Sequence, residues 1–247
     1  MKADPFAQLR LLDLQGLDSA LDRLAHRRRT LPELAEIERL DRLVEGSRDD
    51  VVRAETEAGD LARETAAFEA EITLVRTRKA RNDDRLASGA VAQAKQLADL
   101  QHENVSLVRR QGELEDRELE VMERAEAVQQ VLDALLAERD GRLAARLAAE
   151  QARDAAQVDI DAERARTAAE RASVAAGLPA DLLALYEKIR RAEGGIGAGE
   201  ISRRRCGACR LDLMGNEVAD IRAAAPDAVL RHEECTRIMV RTAESGL

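Results

Sequence analysis

Residues 37–75 read IERLDRLVEGSRDDVVRAETEAGDLARETAAFEAEITLV. Ile37, Val44, Val51, Ala58, Thr65 and Ile72 recur every seven residues. Leu40, Ser47, Ala54, Leu61, Phe68 and Val75 recur with the same period, three places later. Ten of these twelve positions are apolar. Alternating steps of three and four keep a narrow apolar stripe on one side of a helix. Sustained over so many turns, the pattern predicts a coiled coil rather than a lone amphipathic helix. The small side chains of Ala54 and Ala58 let a partner helix approach closely.

The same reading extends outward. Residues 33–81 form one helical pattern, and Thr30 with Glu33 offers a capping box around Pro32 where a helix restarts. Residues 82–91, NDDRLASGAV, supply the turn and cap formers Asn82, Asp83, Ser88 and Gly89. A second helical run covers 92–176, with the heptad stripe Leu100, Leu107, Leu114, Val121, Val128 and Leu135. Its companion seam begins polar at Asn104, Gln111 and Glu118, residues suited to fixing register. It turns apolar at Ala125 and Leu132, and the stripe then shifts to Leu136, Leu143 and Leu147. Leu14, Leu17, Leu21 and Leu24 give the N-terminal segment a stripe of its own. Two arms, 6–81 and 92–176, joined by a short turn favour an antiparallel hairpin. Folding about that turn sets residue n near 172 minus n, so that Pro32 faces Gly141.

Composition agrees with thin helical arms. The 247 residues include two Phe, one Tyr and no Trp, whereas 35% are charged and 45% hydrophobic. No proline interrupts the 146 residues between Pro32 and Pro179. Aromatic side chains fill much of a thick core, so a sandwich, a barrel or a Rossmann domain is excluded over most of the length. A two-helix structure also encloses no large cavity, and no small-molecule substrate is expected. The net charge of −9 argues against a generally basic nucleic-acid binder. No run of 18 apolar residues provides a membrane span. MKADPFAQLRLLDLQ (1–15) lacks the apolar stretch of a signal peptide, and a cytoplasmic location is expected.

The chain breaks at Gly177, Leu178 and Pro179, and a short helix over 180–193 follows. It leads into GGIGAG (194–199), read as a helix cap and flexible linker. A phosphate loop would need a preceding strand and a Gly-Lys-Ser/Thr ending. Beyond it lie ISRRRCGACRLDL (201–213) and RHEECTRIMVR (231–241). Cys206-x2-Cys209 and His232-x2-Cys235 are two ligand pairs 22 residues apart. Three thiolates and an imidazole on two tight turns match a closed structural zinc site. Such a site would staple 47 residues that have little core of their own. A redox Cys-x-x-Cys pair lacks the βαβ context it would need, and incidental cysteines are the remaining alternative. Short strands are predicted near 203–206 and 237–241, and a short helix near 216–224.

These segments together resemble the bacterial C4-type zinc ribbon family, whose members carry a long N-terminal helical hairpin. The resemblance rests on LLDLQGLD (11–18), HRRRTLPE (26–33), RLASG (85–89), LEDRELEVME (114–123), LYEKIRRAEGGIG (185–197) and the two ligand pairs. It covers essentially the whole chain, and HRRRTLPE and the Ala/Arg-rich arms closely resemble the actinobacterial branch. It implies Cys206, Cys209 and Cys235 as zinc ligands, with His232 standing where the family ordinarily has cysteine. It also implies no established catalytic activity and an interaction or adaptor protein, with nucleic-acid or transcription-related partners proposed for relatives.

The predicted architecture is mainly α: an antiparallel coiled-coil hairpin over 1–177, a short helix and Gly-rich linker over 178–200, and a zinc ribbon over 201–247. No constellation resembles a catalytic site, since His26 and His102 stand alone in helical runs. Two functional readings follow. The first is a non-enzymatic adaptor that binds a protein partner through the hairpin. The alternative is a regulatory protein that binds RNA or DNA. Lys188, Arg190, Arg191, Arg203, Arg204, Arg205 and Arg210 oppose only Glu193 and Glu200 between 188 and 210, and such a cluster suits phosphate contacts. Scarce aromatics weigh against base stacking.

Overall fold

The computed structural model describes residues 1–89 and 91–246. Residue 90 of the expected turn and residue 247 of the expected ribbon lie outside these. The elements run α1 (Pro5–Arg29), α2 (Pro32–Gly46), α3 (Arg48–Ala87), α4 (Ala94–Ala176), α5 (Ala180–Ala192), β1 (Ala198–Ser202), β2 (Arg205–Cys206), α6 (Gly215–Ala223), β3 (Leu230–Arg231) and β4 (Ile238–Val240). The molecule is a long helical hairpin with a small C-terminal sheet. Its contacts divide it into two units. One joins Met1–Ala35 to Glu150–Leu247, and the other is Glu36–Ala149.

In the second unit, α3 and α4 pair as an antiparallel coiled coil. All twelve seam positions between Ile37 and Val75 are buried or half-buried, and Lys79, Asn82 and Leu86 extend the period. Val51 and Ala54 pack with Leu132. Leu61, Ile72, Leu114 and Val121 are buried along the same seam, each contributing about 1.5–3 kcal/mol by leaving water. Salt bridges flank it, among them Arg76–Glu115 at 2.7 Å and Arg110–Glu71 at 3.2 Å. These pairs are solvent-exposed and individually weak.

The register differs from the expected one. Asp41 pairs with Arg146 at 2.6 Å, whereas folding about 82–91 would have set it near residue 131. In the first unit, Leu31 packs with Ile160 and Ala156, so Gly141 does not face the Pro32 region. The cause is that Asn82 and Asp83 stay helical. Asn82 Nδ2 donates to Glu103 Oε2 at 3.0 Å, and Asn104 Nδ2 donates to Asp83 Oδ1 at 2.7 Å. Partners on the facing arm satisfy side chains that would otherwise favour a turn, and the fold-back moves beyond Ala87. Leu143 and Leu147, expected on the stripe, are exposed. The inward positions there include Arg139, Arg142 and Arg146. Arg142 Nη1 donates to the Leu43 carbonyl at 3.0 Å, where the helix breaks at Ser47. The expected capping box is replaced too: the Thr30 hydroxyl donates back to the His26 carbonyl at 3.0 Å.

In the first unit, α1, α5 and the end of α4 pack on one face of the sheet, whose strand order is β2-β1-β4-β3. β1 and β4 are parallel; the other pairs are antiparallel. Ala198, Ile238 and Val240 meet Leu11, Leu14, Leu182 and Tyr186 on one face. Ile201, Cys206 and Met239 meet Val218 and Ile221 on the other. The period-two alternation of β4 divides Ile238 and Val240 from Met239 in this way. The segment read as a flexible linker therefore ends in a central strand. The C-terminal segment therefore has an apolar core on both sheet faces, which the expectation of little core did not foresee. Residues 1–3 join the same unit: Ala3 N donates to Asp227 O at 2.8 Å, and Val229 N to Met1 O at 3.2 Å.

Candidate metal centre

Cys206 ends β2, opposite Ile201 of β1. Its carbonyl accepts from Arg210 N at 2.7 Å, and its own N–H donates to Leu211 O at 2.9 Å. The second ligand pair repeats this pattern between β3 and β4. The His232 carbonyl accepts from Thr236 N at 2.8 Å, and the His232 N–H donates to Arg237 O at 3.0 Å. Arg210 and Thr236, each directly after its pair's second ligand, have φ values of 66° and 58°. The two turns are therefore the same structure built twice, with His232 in the place that Cys206 takes in the first. Gly207 is required by close approach, because a Cβ there would lie 2.7 Å from the Glu200 carbonyl.

The turns bring one ligand atom from each of Cys206, Cys209, His232 and Cys235 within 4.8 Å of one another. Cys206 Sγ lies 4.0 Å from Cys235 Sγ; His232 Nδ1 lies 3.3 Å from Cys209 Sγ and 3.1 Å from Cys235 Sγ. All three cysteines are free thiols. Burial pushes the Cys206 thiol up to about 12, against the opposing pull of the Cys209 and Ala208 N–H groups. Desolvation also acts upward on Cys209. The Leu211 N–H, the two other thiols and Arg237 outweigh it and leave Cys209 below an ordinary thiol. Metal binding to such a set displaces protons. The group is one that could hold a metal ion through four protein donors.

Glu217, which sequence reasoning did not single out, stands behind the imidazole. Its Oε2 accepts from Met214 N at 2.9 Å and its Oε1 from Glu233 N at 3.3 Å, while Oε1 lies 3.8 Å from His232 Nε2. A glutamate in the first turn of a predicted helix reads as a cap. Only the fold brings it to the ring.

The basic residues divide into groups. Arg203, Arg205 and Arg210 line a surface cavity of about 340 Å³ with Ser202, Cys206, Gly207 and Asp212. Arg205 is paired with Asp212 at 3.0 Å. Arg204 is exposed beside the cavity without lining it. Lys188 and Arg191 are exposed on α5. Arg190 departs from the expectation: it is drawn against α1, 3.3 Å from Asp18 and 3.2 Å from Asp22, and is not free for a ligand. It belongs to a buried network in which Asp18 also accepts from Arg171 Nε at 2.9 Å and from the Tyr186 hydroxyl at 2.7 Å. Gln15 joins that network to the glycine segment, its Oε1 accepting from Gly197 N at 2.7 Å. The glycines are thus bound to α1 rather than open to a phosphate.

A family model described as the CT398-like coiled coil hairpin domain matches residues 14–194. An uncharacterised protein of Mycobacterium tuberculosis is 42% identical over 241 residues, covering 98% of this chain and 98% of its own. A solved structure from Mycobacterium smegmatis aligns with a TM-score of 0.84 at 38% identity, covering 98% of this chain and 100% of that one. The structure of CT398 from Chlamydia trachomatis shares the fold, with a TM-score of 0.61 at 19% identity, over 96% of this chain and 98% of that one. Among the described residues no helix is long and apolar enough to cross a membrane.

Proposed function

The chain belongs to the CT398-like coiled coil hairpin family, and from that premise we propose a non-enzymatic adaptor: a hairpin that docks a protein partner, carried on a zinc ribbon of the C4 type with one ligand exchanged for histidine. The observation that carries the docking reading is an outward apolar stripe on α4. Val105 and Val108 recur two heptads later as Leu119 and Met122, and all four are exposed, Val105 to 71%. They lie off the seam that α3 covers. Repeated apolar side chains on the free face of a helix suit a helical partner. The test is co-purification from the native cell with and without nuclease, comparing the wild type with Val105→Asp/Leu119→Asp. A nuclease-resistant partner lost in the variant supports the reading. Capture unchanged in the variant refutes it.

Zinc is the metal that the donor set fits. Tetrahedral zinc with sulfur at about 2.3 Å sets neighbouring sulfurs about 3.8 Å apart, close to the 4.0 Å between Cys206 and Cys235. Cys206, Cys209, His232 and Cys235 would hold it, and four protein donors leave no position for a reacting water. When bound, the ion supplies a crosslink between the two turns.

A second reading, nucleic-acid binding through the ribbon, has its own support. Arg203 and Arg204 form the two-residue turn between β1 and β2 with φ of 50° and 63°. Asn-Gly suits such a turn far better. Arginines held in left-handed conformations beside a basic cavity point to a use for their charge. Salt titration of RNA and DNA binding tests it: affinity should fall with salt and vanish in Arg203→Ala/Arg204→Ala/Arg205→Ala. Binding that survives those changes removes this reading.

A further inference from the structure

His232 is 1% exposed and both of its ring nitrogens are buried, so each needs a defined role. Nδ1 faces the thiols. Nε2 has no hydrogen-bond partner, and the Glu217 carboxylate faces it with Oε1 3.8 Å away. Glu217 is only 5% exposed, and two backbone N–H groups hold its carboxylate in place. A cysteine at position 232 would present nothing to that carboxylate, because a thiolate has no far side that donates. An imidazole does. A ligating histidine ordinarily donates its second ring N–H to a carboxylate or carbonyl, which fixes the tautomer and the ring plane.

We propose that Glu217 is the positioning residue that makes His232 a metal ligand. When the metal is bound, the 3.8 Å gap closes to a hydrogen bond, so that Oε1 takes up the Nε2–H and leaves the Nδ1 lone pair facing the three thiols. The inference rests on the zinc reading above and goes beyond it. It also accounts for charge. Three thiolates and a neutral imidazole carry one negative charge fewer than four thiolates. A carboxylate directly behind the ring returns that charge to the neighbourhood of the dication. Glu217 thereby offsets the cost of the histidine exchange, on an element that the two ligand turns do not contain.

The experiment uses the full chain in four forms: wild type, Glu217→Gln, His232→Cys, and the two changes together. Zinc affinity is read by competition with a chromophoric chelator, and far-UV circular dichroism checks that each form is folded. Glu217→Gln should weaken zinc binding about 10–100-fold in the wild-type background, the usual effect of removing such a partner. With cysteine at 232 the same change should alter affinity less than about 3-fold. Multiple-bond proton–nitrogen NMR of the zinc-loaded wild type should place the histidine proton on Nε2. An equal loss in both backgrounds would mean that Glu217 acts only by capping α6, and would overturn the proposal. So would a proton on Nδ1, or wild-type affinity in Glu217→Gln. A wild type that takes up no zinc would instead overturn the zinc reading itself.

Discussion

Replacing Asp18 by Ala tests whether the polar network at the base of the first unit holds that unit together. Asp18 is 2% exposed. It accepts from Arg171 at 2.9 and 3.3 Å and from the Tyr186 hydroxyl at 2.7 Å, and stands 3.3 Å from Arg190 Nε. Removing one member of a buried ion pair costs about 3–5 kcal/mol. Here the side chains of Arg171 and Arg190 keep 23% and 21% of their surface in solvent. They also retain Glu187 and Asp22 as partners. Screening and those second partners reduce the ionic part to about 2 kcal/mol. The Tyr186 hydroxyl loses its shorter acceptor but keeps Gln15 Oε1 at 3.2 Å, which adds less than about 1 kcal/mol. The expected loss is therefore about 2–3 kcal/mol. Tyr186 makes it measurable. It is the only tyrosine in a chain without tryptophan, and it is buried in this network, so its fluorescence follows the first unit alone. Far-UV circular dichroism follows the helices of both units. In urea, the Asp18→Ala fluorescence transition should move to lower denaturant by that amount, and Asp18→Asn should move it less. A shift below about 1 kcal/mol would show that the arginines are held by Glu187 and Asp22, and that Asp18 is dispensable.

Burial, then the hydrogen bond to Asp18, holds the Tyr186 hydroxyl above its ordinary value of 10.0. Its contribution to stability is therefore present at neutral pH and declines as pH climbs past the ordinary tyrosine range, where only the unfolded chain ionises. Alkaline urea titrations should show this decline in the wild type and a smaller one in Tyr186→Phe. Metal analysis of the purified chain should find about one equivalent of zinc, and under about half in Cys206→Ser. Affinity should tighten as pH rises from about 6 to about 8, because each bound thiolate must first lose its proton. Replacing Arg203-Arg204 by Asn-Gly should raise the stability of the ribbon by about 1 kcal/mol, since those residues accept the left-handed turn. The same change should weaken any binding of RNA or DNA, and an unchanged melting temperature would count against the turn being strained.

The seam of α3 was legible because its cause is local. Helical period and side-chain type decide which of residues 37–75 face a partner, and no distant residue alters that. The fold-back was not. Asn82 and Asp83 favour turns by themselves, and their helical state depends on Glu103 and Asn104, twenty-one residues away. Leu143 and Leu147 mislead for a related reason: the shifted register leaves them no opposing apolar surface. The grouping of Cys206, Cys209, His232 and Cys235 was legible because each pair's spacing places both of its side chains on one tight turn. β1 was hidden among glycines, since its pairing partner β4 lies some forty residues downstream. Glu217 was hidden because its role comes from α6 packing over the second ligand turn, which no spacing in the chain encodes.

The bond between Lys2 and Asp227 spans 225 residues, and the backbone around it joins residues 1–3 to residues 227–229 within the first unit. At a translation rate of about 5–20 residues per second, the first strand-like residues leave the ribosome roughly ten to fifty seconds before their partners exist. During that interval α1 has its Leu11 and Leu14 face uncovered, while the whole of the second unit emerges before residue 227 and can pair its arms. The order of synthesis thus runs against the order of contact. The second unit is one continuous segment, whereas the first needs two segments that are made far apart in time. Fusing a bulky domain directly to Met1 should therefore disturb the first unit, where Val229 N donates to Met1 O, more than the second.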